Sequence, residues 1–246
     1  MQKPIYRHLA EKKWRSYKRL VLEQRVTQFH LVPDLLPALD LVADISLAFG
    51  RKNIAPGEFV GSAVSEILPR LQVRTFQPGQ KLVTVVVVDP DVPIPETESF
   101  AYRCHLIASN IPITAQQNSI PLNTFEQQDR KTEDPQAKKI VLPWLPPWAH
   151  KGAPYHRMTI FVLEQENAKV LNVQKLMDVK RDGFNLRSFV DKNNLKPITA
   201  TLFRTKWDES MRSVMKRTGL EKELGVEFKR KKIEPLPYKR RTERMR

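Results

Sequence analysis

The side chains of this sequence best placed to do chemistry are cations. Forty-two lysines and arginines stand against 27 acids, a net charge of +15. Residues 1–30 hold eight cations and two acids, and residues 206–246 hold fourteen and seven. The body between them is nearly neutral, at +2. Lys12, Lys13, Arg15, Lys18, Arg19 and Arg25 belong to the first group. Lys229, Arg230, Lys231, Lys232, Lys239, Arg240, Arg241 and Arg244 belong to the second. Charge of this size implies a polyanionic partner. Its concentration at the ends, rather than on a face of the body, implies extensions that reach into a larger nucleic-acid assembly and neutralise phosphates. Trp14 and Tyr17 sit among the N-terminal cations, where rings stack on unpaired bases or pack against protein. An acidic membrane surface is the rival polyanion, but few large apolar residues follow Lys229, so membrane insertion is not expected. A nuclear-localisation signal is the alternative for the run at 229–232.

Other chemistries find little support. Cys104 is the single cysteine, so no internal disulfide forms, and a small buried thiol is expected there. No serine or cysteine nucleophile motif is present, and the eight glycines are scattered singly rather than gathered in a phosphate loop. His105 and His156 lack the i, i+4 spacing of a helical metal pair. No catalytic residue, metal site or cofactor is therefore expected. No apolar stretch approaches the roughly 20 residues that span a bilayer. The first thirty residues lack the apolar block of a secretory signal. Their bias toward Arg and Lys suits a transit segment or an RNA-binding arm equally.

The elements that must position these groups divide into three regions. Residues 1–30 read as a basic helical extension, helical from about Tyr6 to about Thr27 because no internal Pro or Gly interrupts good helix formers. Leu9, Lys13, Tyr17 and Leu20 fall near one face; Trp14 and Leu20 alternatively cover the protein's own core. Residues 31–207 read as a β domain. Leu82–Val88 is a β-branched run expected of a strand covered on both faces. Tyr102–Ile111, Met158–Gln165 and Ile198–Trp207 are further strands. In the last, Ile198, Ala200 and Leu202 are expected on one side, with Thr199, Thr201 and Phe203 on the other. Pro90, Pro93 and Pro95, then Pro143, Pro146, Pro147 and Pro154, mark connections, and short helices are expected near 62–68 and 184–193. Residues 208–246 read as a basic helix over Asp208–Leu224, capped at Gly225, and then an extended tail interrupted by Pro235 and Pro237. The fold class is mainly β, a two-sheet core with peripheral helices.

Four stretches carry a family resemblance. They are Asp89-Pro90-Asp91-Val92-Pro93 after the valine strand, Tyr102–Asn110 with His105, Lys151–Arg157 with Gly152, His156 and Arg157, and Phe184–Phe189 followed by Pro197–Asp208. In this order they resemble the phosphatidylethanolamine-binding protein family over about residues 34–210. The resemblance implies a two-sheet β-fold with a small anion pocket at one end, formed here by Asp89, Asp91, His105 and His156. Imidazoles donate to phosphate oxygens, and a carboxylate beside them orients and charges them. The sequence departs from the family pattern in three places: Met158 follows the His-Arg pair, Arg103-Cys104 precedes His105, and Leu142–His150 carries two tryptophans where the rim is usually Gly- and Pro-rich. Two readings of the four residues stay open, an anion site or core histidines in a vestigial cavity.

The combination of a degenerate ligand-binding fold with basic extensions resembles a family member built into the mitochondrial large ribosomal subunit. That implies a structural protein of the mitochondrial matrix, not an enzyme. Its partners would be large-subunit rRNA and neighbouring ribosomal proteins, and it would not work as a free monomer. The alternative is a free regulatory protein that binds phospholipid head groups or phospho-ligands in the family pocket.

Overall fold

Val83, Val85, Val86, Val87 and Val88 are all fully buried, and this continuous apolar run sets the centre of the molecule. A strand buried on both faces needs a layer on each side. The computed structural model describes residues 3–116 and 118–228; the expected contacts of Lys229 through Arg244 lie outside them. The strands are β1 (Asp44–Phe49), β2 (Lys52–Ile54), β3 (Arg70–Arg74), β4 (Gln80–Ile94), β5 (Ser99–Thr114), β6 (Ser119–Ile120), β7 (Ile140–Leu142), β8 (His156–Gln165) and β9 (Leu195–Thr205). They form two antiparallel sheets, of order β2-β1-β3-β6 and β7-β5-β4-β8-β9.

The odd valines of β4 face the four-stranded sheet with Leu47, Leu71, Ile160 and Phe203. Val86 and Val88 face the opposite way, toward Phe161, Leu186 and Phe189. The second face is covered by the short helices Val173–Met177 and Leu186–Lys192 and by the end of the N-terminal helix. A fully buried phenylalanine such as Phe161 contributes about 1.5–3 kcal/mol. Three of the four expected strands lie within β4, β5 and β8; the fourth, expected over Ile198–Trp207, falls on β9, which starts earlier at Leu195 and ends at Thr205. Two local expectations give way to bulges. Pro90 and Pro93 do not end β4, because the ladder shifts register between Asp89 and Val92 and then resumes. Ile198 does not share a face with Ala200 and Leu202: the shift between Val162 and Leu163 places an extra residue on β9 and turns Ile198 into the inter-sheet core.

The N-terminal helix runs from Pro4 to Gln28 as α1 (Pro4–Lys13), a π turn (Trp14–Lys18) and α2 (Arg19–Gln28). Trp14, Leu22 and Val26 form its buried face, with Trp14 tilted against Phe76 at 5.1 Å. Leu20 stays 57% exposed, so of the two residues weighed as core cover only Trp14 serves. At the other end the expected helix over 208–224 is shorter, Met211–Arg217. Gly219 at φ +77 ends it, with Leu220 N–H donating to Met215 O and Gly219 N–H to Lys216 O. This is the paired-bond cap that glycine permits, and it arrives six residues before Gly225. No helix of the described residues is long and apolar enough to cross a membrane.

Candidate functional site

Proline cannot donate to a ladder, so the Asp-Pro-Asp stretch of β4 leaves the sheet as a bulge. Asp89 closes the turn by accepting the Asp91 N–H at 2.9 Å. The bulge aims Asp89 inward, where its Oδ2 lies 2.7 Å from His156 Nδ1. β4 pairs with β5 on one side and β8 on the other, which brings His105 and His156 to either side of Asp89. All three are buried. Burial opposes charge on both partners of the Asp89–His156 pair. Their mutual attraction outweighs it, so the carboxyl is held below its ordinary range and the imidazole above its own.

His105 behaves differently. A second bulge, where Val87 and Val88 pair with Leu106 and Cys104, leaves it unpaired in the ladder. Its Nδ1 donates to Leu145 O at 2.7 Å, and Leu145 N–H returns a bond to His105 O at 2.9 Å. Burial pushes this imidazole down to about 4, so it is neutral at neutral pH. The Nδ1–H tautomer leaves Nε2 as an acceptor, and that atom is buried with no partner among the described residues. Burial also pushes the Cys104 thiol up to about 12, which keeps it unreactive.

Asp91 does not join them. Its carboxylate is taken by Arg157, which donates from N, Nε and Nη2 at 2.7–3.1 Å. Arg157 also reaches Phe29 O at 2.6 Å and Asp34 at 3.0 Å. Asp91 therefore holds Arg157 of β8, and that arginine ties the strand to the end of the N-terminal helix. Asp89, His105 and His156 converge, while Asp91, whose charge still acts on His156, is engaged by Arg157.

Positive charge nevertheless surrounds the histidines. The Arg103 guanidinium stacks 4.3 Å from the Trp148 ring and bonds Asp182 at 2.5 Å. Arg181 donates to the carbonyls of Cys104, His105 and Pro143. Such a setting suits an anion, but the entrance is filled. Trp148 is 6% exposed, with its ring 5.7 Å from that of His105. Trp144 lies 6.4 Å from His105 and donates its indole N–H to Ser65 O and Glu66 O. Behind Trp148 pack Met211, Met215, Leu220 and Leu224. Farther along, Phe228 N–H donates to Lys151 O at 2.8 Å, and Lys151 pairs with Glu227 at 3.3 Å. The segment after β9 thus closes over the tryptophan rim. The two indoles of Leu142–His150 were legible in sequence as cover for the mouth, but the segment after β9 was not, although Met211, Val214 and Met215 repeat at helical spacing and were the available signal.

The basic extension can be followed through α1 and α2. Arg15 and Arg19 pair with Glu11 and Glu23 on the helix itself; Arg19 also reaches Asp40, and Lys18 reaches Asp44. Arg25 bonds Gln28 at 2.7 Å. Lys12 and Lys13 are exposed and form no ion pair among the described residues. α1 has no buried residue at all, and Ile5, Tyr6 and Leu9 are each more than half exposed. No cluster of three or more ligating side chains suited to a metal ion occurs among the described residues.

Residues 43–204 match the family profile described as phosphatidylethanolamine-binding protein. The Schizosaccharomyces pombe protein named large ribosomal subunit protein mL38 is 28% identical over 209 residues, 83% of this chain and 63% of that relative. The chain thus spans a little under two thirds of the relative's length. Protein TERMINAL FLOWER 1 of Arabidopsis thaliana is 25% identical over 186 residues, 74% of this chain and 90% of that one. Among solved structures, carboxypeptidase Y inhibitor in complex with its cognate proteinase superposes with a TM-score of 0.56 at 14% identity, covering 75% of this chain and 94% of that one. A phosphatidylethanolamine-binding protein from Plasmodium falciparum gives 0.53 at 16%, covering 74% and 96%.

Proposed function

The chain belongs to the phosphatidylethanolamine-binding protein family, and from that premise we propose that it is a structural constituent of the mitochondrial large ribosomal subunit. In this reading it resides in the matrix and performs no catalysis. Its two basic extensions bind rRNA phosphates, and its β domain packs against RNA and protein neighbours. The observation that carries the proposal is α1. Ten residues of helix carry cations and exposed Ile5, Tyr6 and Leu9, and only Ala10 among their apolar residues packs, in part, against the body. α1 is held in place by its continuation into the anchored α2, which leaves its exposed apolar and basic side chains open to another molecule. The relative named for a large ribosomal subunit, which aligns with 83% of this chain, supports a ribosome as that molecule. The filled entrance at Trp148 argues against the alternative of a free phospholipid head-group or phospho-ligand binder, because the buried histidines are cut off from a diffusing ligand.

The test is assembly. Tagged chains lacking residues 1–30 or 226–246 are expressed in mitochondria beside the full chain and the His105→Ala and His156→Ala variants. Sucrose-gradient fractions are then probed for the large subunit. Both truncations are expected to fall severalfold in the subunit peak, with the histidine variants close to the full chain. Equal incorporation of truncated and full-length chains would falsify the proposal.

A further inference from the structure

A second surface, beside the end of the N-terminal helix where Phe29 lies 5.1 Å from the Arg204 guanidinium, combines exposed rings with cations that have no carboxylate partner among the described residues. Residues Gly57–Val60 are stitched to the end of β9. Phe59 bridges Arg204 in parallel, Arg204 N–H donates to Glu58 O, Val60 N–H to Arg204 O, and Arg204 Nε to Gly57 O. This stitching holds Phe59 beside Tyr155, which immediately precedes β8. The two ring centroids are 5.8 Å apart and nearly perpendicular, and each residue is 40% exposed. The Arg204 guanidinium lies 3.9 Å from the Phe59 centroid and 5.1 Å from that of Tyr155, and Lys206 Nζ lies 5.2 Å from Phe59.

Charge decides what such a surface receives. The acids nearest in the chain are already engaged: Glu58 by Lys52 and the Ala55 N–H, Asp208 by Ser62 and the Met211 N–H. Arg204 and Lys206 have no carboxylate partner among the described residues. An apolar protein surface laid over these rings would strip water from two unpaired cations, a costly arrangement. A nucleotide satisfies both features at once, since its base stacks on an aromatic face and its phosphate takes the cation.

We propose that Phe59, Tyr155, Arg204 and Lys206 form a docking surface for an unpaired stretch of RNA, with bases on the two rings and phosphates on the two cations. The proposal rests on the ribosomal reading for the source of that RNA, and it gives the near-neutral body an RNA contact of its own.

Binding of the full chain to fluorescent oligo(U), and to an RNA duplex of the same length, is measured by anisotropy. The double variant Phe59→Leu/Tyr155→Leu keeps apolar cover but removes the stacking faces. It is expected to lose about tenfold to hundredfold in affinity for the single strand, with the duplex affinity and the salt dependence little changed. Phe59→Trp/Tyr155→Trp is expected to retain binding. Wild-type affinity of the leucine pair for oligo(U), or an equal loss on the duplex, overturns the proposal. So does normal RNA affinity combined with failure to enter the particle, which would assign the surface to a protein neighbour. The triple variant Arg7→Ala/Lys12→Ala/Lys13→Ala removes α1 cations while keeping Phe29 and the buried face of the helix, and it separates this surface from the extension. If it loses RNA binding while the leucine pair keeps it, the extension reading survives and the docking surface falls. The reverse pattern upholds the docking surface.

Discussion

Two histidines of one site have opposite acid–base behaviour: burial disfavours charge on both, and only at His156 does attraction to Asp89 outweigh it. His156 faces a carboxylate, while His105 faces a carbonyl. His156, raised by Asp89 against its burial, adds stability that is fully present below pH 6.5 and is lost as pH rises through its folded value. Asp89, held low by the same contact, adds stability above 3.8 that is lost as pH falls through its folded value. His105, lowered by burial to about 4 from 6.5, is the acid-sensitive imidazole. Between those values the unfolded chain binds a proton that the folded chain refuses, so stability falls with pH across the window. The drop is about 3 kcal/mol for a shift of this size. His105→Gln keeps a donor for Leu145 O but cannot ionise. Urea titrations from about pH 7 down to about pH 4.5 are expected to show the acid loss shrinking by most of that amount in the variant. An unchanged acid limb would mean that His105 is not the responsible group. The identities of Asp89, His105 and His156 were legible in sequence because they sit in recognisable stretches. The diversion of Asp91 was not, since Arg157, Asp34 and the Phe29 carbonyl come from three distant places in the chain.

Among elements, the legible ones are those whose burial leaves a pattern. β4 is covered on both faces and reads as an unbroken valine run, whereas β2, β6 and β7 have two or three residues each and leave no periodicity to detect. The segment after β9 was hidden for another reason. Its cations and its apolar residues share one short helix, so composition spoke for an extension while Met211 and Met215 spoke for a core. How closely this segment is seated is seen at Gly152. Its φ is +82, and a Cβ there would lie 1.9 Å from Phe228 O. Gly152→Ala is therefore expected to break the Phe228–Lys151 hydrogen bond, with amide exchange at Phe228 rising sharply. Gly183, at φ +70 with nothing within 4 Å, supplies the control. Gly183→Ala meets only the backbone cost of about 1–2 kcal/mol and should leave Phe228 protected. Equal exchange at Phe228 in the two variants would mean that the segment does not depend on this close approach.

At the scale of the whole molecule, charge and structure are separated. The N-terminal 30 residues carry eight cations, of which Arg15, Lys18 and Arg19 are already held by carboxylates. Five remain for phosphates, so removing residues 1–30 should reduce the slope of log affinity against log salt by at most about 4. Anisotropy titrations at several salt concentrations check this, and a slope that does not change would show that the extension neutralises no phosphates. Sequence alone determined the partition of charge, the doubly covered central strand and the identity of the family. Each of these is a property of local composition or of a contiguous stretch. Only the tertiary structure decided that the segment after β9 closes over the tryptophan rim, that Asp91 is engaged by Arg157, and that Phe59 meets Tyr155 over Arg204. Those outcomes depend on bulges and on contacts between residues far apart in the chain, and hydrophobic periodicity carries no record of either.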